Sequence, residues 1–116
     1  MPTTSSSIPP EFTIRHKQGD TLVRKFIWNE TGVTDVSGYT FSYQIFDKAT
    51  ETLEASGTFS IDPGDNLIFY LRVAHTVTAT LRPCSHFHEM QAIRDNGDKI
   101  TLFKGDLIIE KDRNLS

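Results

Sequence analysis

The chain has 116 residues, a net charge of −3 and one cysteine, which predicts a single domain without an intramolecular disulfide. The chain has no excess of basic residues that would favour binding to nucleic acid. No apolar run approaches the ~18–20 residues that a membrane span needs. The opening stretch, MPTTSSSIPP, lacks the basic and apolar regions of a signal peptide. We therefore expect a protein that is made and folded in a cytoplasm and that binds neither nucleic acid nor membrane.

Ser, Thr and Pro dominate the start of the chain, which predicts an extended N-terminal arm over residues 1–11. A single domain follows at 12–112, with a short tail at 113–116. Alternating apolar, β-branched and aromatic runs in the first part of the domain predict strands at 11–16, 21–28, 39–46, 52–61 and 67–73. Within 52–61, Gly57 predicts a bulge or a weak point in the strand. The stretch DPGDN at 62–66 predicts a turn.

The second part of the domain predicts one helical turn and three more extended runs. Val73, Val77 and Leu81 recur every four residues, which favours a short helical turn within 74–83 that Pro83 ends. Strands are predicted at 86–93, 99–104 and 106–111. Asn96-Gly97 predicts a two-residue type I′ hairpin turn. Seven or eight short strands with regular turns indicate an all-β, immunoglobulin-like antiparallel β-sandwich.

His86 and His88 are the candidate metal ligands, because alternation along a strand places both on one face. Zinc needs three or four ligands, and Glu89 points to the opposite face. A symmetric oligomer could complete the shell, and an enzyme using these three residues is a further alternative. The favoured interpretation is two half-buried imidazoles among apolar neighbours, with no metal and no cofactor.

Three other residue sets were candidates for chemistry or binding. Cys84 resembles no nucleophile motif and is expected to be a small apolar filler. Most aspartates fall in predicted turns, where Asp hydrogen-bonds locally, so no catalytic residues are assigned. Trp28, Tyr39 and Tyr43 are candidates for an exposed glycan platform, although core packing is the usual fate of such residues.

Three stretches of the sequence resemble one protein family in the order and spacing of their strands and turns. FTIRHKQGDTLVRKFIW gives strand, turn and strand; VTDVSGYTFSYQIFD leads into the next strand; HFHEMQAIRDNGDKITLFKGDLIIEKD gives the closing strands. Over about residues 12–112 the chain is similar to the small immunoglobulin-like domains of tailed-phage virions, such as the N-terminal domain of phage baseplate upper proteins. That family carries tyrosines where this chain has His86 and His88, and Asp where it has Glu89.

The resemblance implies a non-enzymatic structural protein of a bacteriophage virion, assembled in the host cytoplasm. Such a protein would be an adaptor that docks tail, baseplate, neck or capsid components as a symmetric homo-oligomer. Its partners would be other virion proteins, and docking would use arm exchange or strand addition. The expected partner-binding residues lie in the arm and at one exposed end: Pro2, Ile8, Pro9, Pro10, Arg15, Lys17 and Asp20. The alternative function is a carbohydrate-binding module that attaches to host-surface glycans.

Overall fold

A computed structural model describes residues 11–111 of the chain. Eight strands and one short helix lie within these residues: β1 (Ile14–Lys17), β2 (Leu22–Ile27), β3 (Thr40–Phe46), β4 (Leu53–Ser56), β5 (Thr58–Ile61), β6 (Ile68–Val73), α1 (His75–Thr78), β7 (Ser85–Ile93) and β8 (Lys99–Glu110). The predicted arm and tail, with Pro2, Ile8, Pro9 and Pro10, fall outside them except for Glu11. None of the described helices is long and apolar enough to cross a membrane.

The strands form two sheets that pack face to face. The larger sheet has the order β1-β8-β7-β3-β4, and the smaller has the order β2-β6-β5. All pairings are antiparallel except that of β1, which runs parallel to β8 with Ile14 opposite Leu107. The described residues therefore confirm the predicted all-β sandwich of seven or eight strands with one helical turn.

The core lies between the two sheets, and alternation along each strand explains its membership. In β7 every second side chain points inward, so His86, His88, Met90 and Ala92 are buried. Tyr43 and Ile45 come from β3 in the same way. Rings then stack across the core, with Phe41 and Phe69 only 4.2 Å apart between centroids. Burying side chains of this size stabilises the fold by about 1.5–3 kcal/mol each.

Gly57 is where the chain crosses from one sheet to the other. The sequence predicted one bulged strand over 52–61, but β4 pairs with β3 and β5 pairs with β6 in the opposite sheet. The single-strand prediction is therefore wrong. A Cβ on Gly57 would stand 2.5 Å from Leu71 Cδ1, which real Cβ atoms do not tolerate. Glycine thus lets the backbone pass directly over the core, a recognised role of glycine within strand patterns.

The β7–β8 hairpin is confirmed, although its turn differs from the predicted type. Gly97 has a φ of 96°, whereas Asn96 does not have a positive φ. The Gly97 N–H donates to the Arg94 carbonyl at 2.9 Å, and the Arg94 N–H donates to Asp98 O at 2.8 Å. This pattern is a type I turn followed by a left-handed glycine, the usual three-residue hairpin loop. Within this turn, the residue with a positive φ is therefore Gly97 and not Asn96.

β8 is a single strand of twelve residues, although the sequence predicted two strands separated by Gly105. Gly105 has a φ of 157°, and a Cβ there would stand 2.6 Å from Phe12 O. The glycine therefore keeps the strand continuous and leaves room for the segment that precedes β1. Glu11, which was assigned to the arm, already forms a parallel bridge with Lys104.

Candidate functional site

His86 is buried at 1% exposure and hydrogen-bonds through both ring nitrogens. Nδ1 lies 2.6 Å from Glu54 Oε1, and Nε2 lies 2.8 Å from the Arg82 carbonyl oxygen. A carbonyl oxygen can only accept, so Nε2 carries a hydrogen. Cys84 Sγ is 3.6 Å from the same nitrogen, which cannot act as a base toward the thiol while it donates to Arg82. The ring links β7 to the edge strand β4.

His88 is fully buried, at 0% exposure, and is also satisfied on both sides. Nε2 lies 2.6 Å from the Phe12 carbonyl oxygen, and Nδ1 lies 2.7 Å from the Tyr43 hydroxyl. The neutral ring can form both hydrogen bonds, since Nε2–H donates to the Phe12 carbonyl and Nδ1 accepts from the Tyr43 hydroxyl. Burial lowers the pKa of His88 from its ordinary 6.5, although the hydrogen bond to Phe12 acts in the opposite direction. Burial likewise raises the pKa of Tyr43.

These contacts correct the expectation of two half-buried imidazoles. Both rings lie wholly inside the sandwich, and each has a polar partner rather than apolar neighbours alone. The hydrogen bonds use the nitrogens that a metal would require. Among residues 11–111, no three His, Cys, Asp or Glu side chains converge into a metal-binding group. Glu89 faces outward, on the opposite side of the sheet from both histidines.

Trp28 and Tyr39 belong to a cluster held by Arg94 and Glu30. The Arg94 guanidinium lies 5.8 Å from the Trp28 ring centroid and 5.6 Å from that of Tyr39. Its NH2 is 3.0 Å from each Glu30 carboxylate oxygen, and NH1 donates to the Tyr39 hydroxyl at 2.8 Å. The pKa of Glu30 is lowered chiefly by its hydrogen bond with Arg94. No sequence motif predicted that Arg94 and Glu30 would join Trp28 and Tyr39 in one cluster.

The glycan platform is not formed as predicted. Tyr43 is 1% exposed and contacts His88 in the core, so a sugar on the surface cannot reach it. Trp28 and Tyr39 are half-buried, and Trp28 also donates from Nε1 to Glu30 at 3.0 Å. The Arg94 guanidinium lies over one face of each of these rings, which removes that face from stacking with a sugar.

Arg15, Lys17 and Asp20 lie around the β1–β2 turn. Arg15 pairs with Glu110 at 3.5 Å, with both side chains largely exposed. The backbone carbonyl of Asp20 accepts from the Thr78 hydroxyl at 2.7 Å and lies 2.8 Å from His16 Nε2. The turn is therefore clamped by α1. A surface ion pair of this kind adds at most about 1 kcal/mol, so its residues remain available for contacts.

An open seam separates the two sheets on the side where β2 faces the first half of β8. β2 pairs only with β6 within the described residues, and β8 pairs with β7 alone over residues 99–103. A cleft of about 460 Å³ lies between these edges. Apolar side chains dominate its lining, with the Arg94–Glu30 pair at one side: Phe26, Ile27, Trp28, Phe69, Met90, Ile100, Leu102 and Phe103.

The segment before β1 lies at the end of this seam that is marked by Lys104 of β8. The Phe12 N–H donates to Lys104 O at 3.0 Å, and the bridge between Glu11 and Lys104 keeps the register of β1 on β8. His88 and Gly105 fix this segment from inside. Beyond Lys104, the edges of β2 and of residues 99–103 of β8 carry backbone groups without a strand partner in the described part of the chain. Unpaired edges beside an apolar cleft are templates for another strand.

No protein-family model matches the chain, and no curated protein matches it either. Among solved structures, the chain is similar to CopC from Methylosinus trichosporium OB3b, with 14% identity, 89% of each chain covered and a TM-score of 0.53. It is also similar to the NK cell receptor Nkp44, with 13% identity, 91% of this chain and 100% of that chain covered, and a TM-score of 0.46. Sequence identities this low indicate a shared fold and nothing about function. The two-sheet topology, together with the likeness to CopC, establishes that the chain is an immunoglobulin-like β-sandwich.

Proposed function

We propose that this chain is a non-enzymatic structural protein of a bacteriophage virion, an adaptor that docks a neighbouring virion protein by β-strand addition at the seam. The observation that carries the proposal is a pair of strand edges, β2 and residues 99–103 of β8, that have no strand partner within residues 11–111 and lie on either side of an apolar cleft. The virion assignment rests on the resemblance of the sequence to phage immunoglobulin-like domains. We place the protein in the particle as a symmetric homo-oligomer, after assembly in the host cytoplasm.

Strand addition suits this geometry for two physical reasons. An added strand satisfies backbone N–H and C=O groups along the edge, and alternate side chains enter the cleft. The cleft is already apolar, so each inserted side chain would remove apolar surface from water at about 25 cal/mol per Å². The outward Ile27 is 65% exposed and lines the cleft. Such an exposed aliphatic group would be covered in the assembled particle.

The chemistry of the described residues supports docking over catalysis. The buried histidines are both committed to hydrogen bonds within the sandwich. Several aspartates hold turns; Asp47, for example, accepts from the Ala49 and Thr50 N–H groups, which lowers its pKa. These groups stabilise the fold, and the surface that remains is suited to binding.

The test is incorporation of variant chains into virions from a producing host. Ile27→Lys puts a charge at the cleft, and Val23→Lys puts the same charge on the same strand, at a side chain 52% exposed that does not line the cleft. We expect Ile27→Lys to lower incorporation roughly tenfold, the equivalent of about 1.4 kcal/mol, with Val23→Lys close to wild type. Equal incorporation of the two variants would exclude the seam, and absence of the wild-type protein from purified particles would exclude the virion assignment.

The predicted contribution of the N-terminal arm needs a separate experiment. The full chain and a chain lacking residues 1–10 are compared by light scattering for oligomeric state and by incorporation into particles. Loss of assembly on truncation would support docking through Pro2, Ile8, Pro9 and Pro10. Equal assembly of both chains would remove the arm from the interface and leave the seam as the docking surface.

A further inference from the structure

A second surface, separate from the seam, lies on the outer face of the larger sheet. There Phe46 of β3 and Phe87 of β7 are cross-strand partners, with ring centroids 6.2 Å apart. Both rings point away from the core and are half-buried. They form the floor of an open cavity of about 430 Å³ whose remaining lining residues are charged: Asp47, Lys48, Glu51 and Glu89. The cavity therefore has an aromatic floor and a mainly acidic rim.

The charges on the rim are unequally neutralised. Lys48 Nζ lies 2.9 Å from Asp106 and donates to Ser85 Oγ at 3.1 Å. Asp47 receives two backbone N–H groups and approaches Arg82 at 3.4 Å. Glu51 and Glu89 form no ion pair with any residue that the structure describes. Two carboxylates beside two rings are left to attract a cation.

A second group of aromatic rings and a carboxylate in this chain already holds an arginine. At the other end of the sheet, Arg94 lies against Trp28 and Tyr39 while Glu30 holds its guanidinium from both carboxylate oxygens. The outer-face cavity offers the same chemistry, rings and carboxylates, without an arginine in its lining. Guanidinium suits it better than ammonium, because its planar group stacks on rings, is weakly hydrated and bonds a carboxylate in a two-pronged manner.

We propose that the cavity formed by Phe46, Phe87, Glu51 and Glu89 binds an arginine side chain of a partner protein. The guanidinium lies over the rings and pairs with Glu89, while Glu51 closes the other side. The occupant is identified by charge complementarity, since the carboxylates of Glu51 and Glu89 have no ion-pair partner among residues 11–111, although Lys104 is the cross-strand neighbour of Glu89. This site is independent of the seam, so its failure would leave the proposed strand addition standing.

The test is a nuclear magnetic resonance titration of the full chain with a short peptide, acetyl-Ser-Arg-Ser-amide. The matched probe carries citrulline in place of arginine, which keeps the shape and removes the charge. We expect saturable shifts at the amides of Phe87, Glu89 and Glu51 with the arginine peptide. Binding of the citrulline peptide should be at least roughly tenfold weaker, because a hydrogen bond between two charged groups is stronger than one in which the donor is neutral.

Two variants complete the experiment. Glu89→Gln and Glu51→Gln each remove one carboxylate with little change in shape, and each should weaken arginine binding several-fold. Asp95→Asn removes an equal charge in the exposed β7–β8 turn and should leave binding unchanged. Equal responses to both peptides, shifts outside the cavity, or binding that is insensitive to both glutamine variants would overturn the proposal.

Discussion

The His88 ring donates from Nε2 to the backbone carbonyl of Phe12, 2.6 Å away, and so ties the segment before β1 to the centre of the sandwich. On its other side the ring accepts from Tyr43, 2.7 Å away. The contact spans 76 positions in the sequence. It gives the buried histidine a structural role, which is to fix the point at which the chain joins β8.

Replacing His88 should destabilise the fold strongly. His88→Phe leaves the buried Tyr43 hydroxyl without a partner, at a cost of about 1–3 kcal/mol, and also removes the donor to the partly buried Phe12 carbonyl, at a smaller cost. Urea denaturation should show a lower free energy of unfolding by roughly 2–4 kcal/mol. His75→Gln, on the exposed side of α1, is the matched control and should change it by less than about 0.5 kcal/mol. Similar stabilities for the two variants would show that the His88 contacts contribute little.

The stabilisation by His88 should depend on pH. Its folded-state pKa lies below the ordinary 6.5 because the buried ring resists protonation. The unfolded chain then binds more protons, so the contribution is complete above pH 6.5 and is lost as pH falls from there toward the folded pKa. Unfolding free energies of wild type and His88→Gln should therefore differ more at about pH 7.5 than at about pH 5.5. A difference that stays constant or grows on acidification would contradict this account.

Gly105 should be intolerant of a side chain. In Gly105→Ala, the new Cβ would meet Phe12 O at 2.6 Å, and the φ of 157° is also unfavourable for alanine. We expect a loss of about 1–3 kcal/mol in the free energy of unfolding. Gly38→Ala is the control, since its Cβ would find its nearest neighbour at an ordinary 3.8 Å. Hydrogen exchange at Phe12 should quicken in Gly105→Ala, and unchanged exchange would separate the glycine from the Phe12 segment.

Arg94 should shield the single tryptophan from solvent. Arg94→Ala removes the guanidinium 5.8 Å from the Trp28 ring centroid and releases Glu30. The expected result is a red-shifted Trp28 emission with a stability loss of about 1–2 kcal/mol, from one charged hydrogen-bond network and one cation–π contact. Arg72→Ala, at an exposed position of β6, is the control. An unshifted spectrum in Arg94→Ala would mean that the guanidinium does not cover the ring.

Alternation and turn chemistry predicted most strands because each half-buried strand repeats its apolar residues every second position. The same logic failed at Gly57, where the sequence reads as one continuous strand although the backbone changes sheet over Leu71. It also failed for the turn, since Asn96-Gly97 favours two turn types and the Arg94–Asp98 pairing selects between them. At Gly57 the deciding contact is with Leu71, fourteen positions away, whereas at the turn it is a backbone pairing that the residue types alone do not specify.

The candidate surfaces were less predictable for a related reason. Tyr43 and His88 looked like separate candidates, one for sugar and one for metal, yet they hydrogen-bond each other inside the core. The seam depends on which strands lack neighbours, and the Phe46–Phe87 cavity depends on cross-strand register. Both properties arise from pairing between residues far apart in sequence, which a single sequence does not display.

The claim that the seam receives a partner strand is tested most directly by hydrogen exchange of the free chain and of the chain in assembled virions. Backbone amides of β2 and of residues 99–103 should exchange readily along their open edges in the free chain and become protected in the particle. Those of β5, the other edge of the smaller sheet, serve as the internal reference and should change little. Equal exchange of β2 and residues 99–103 in both states would contradict strand addition at the seam.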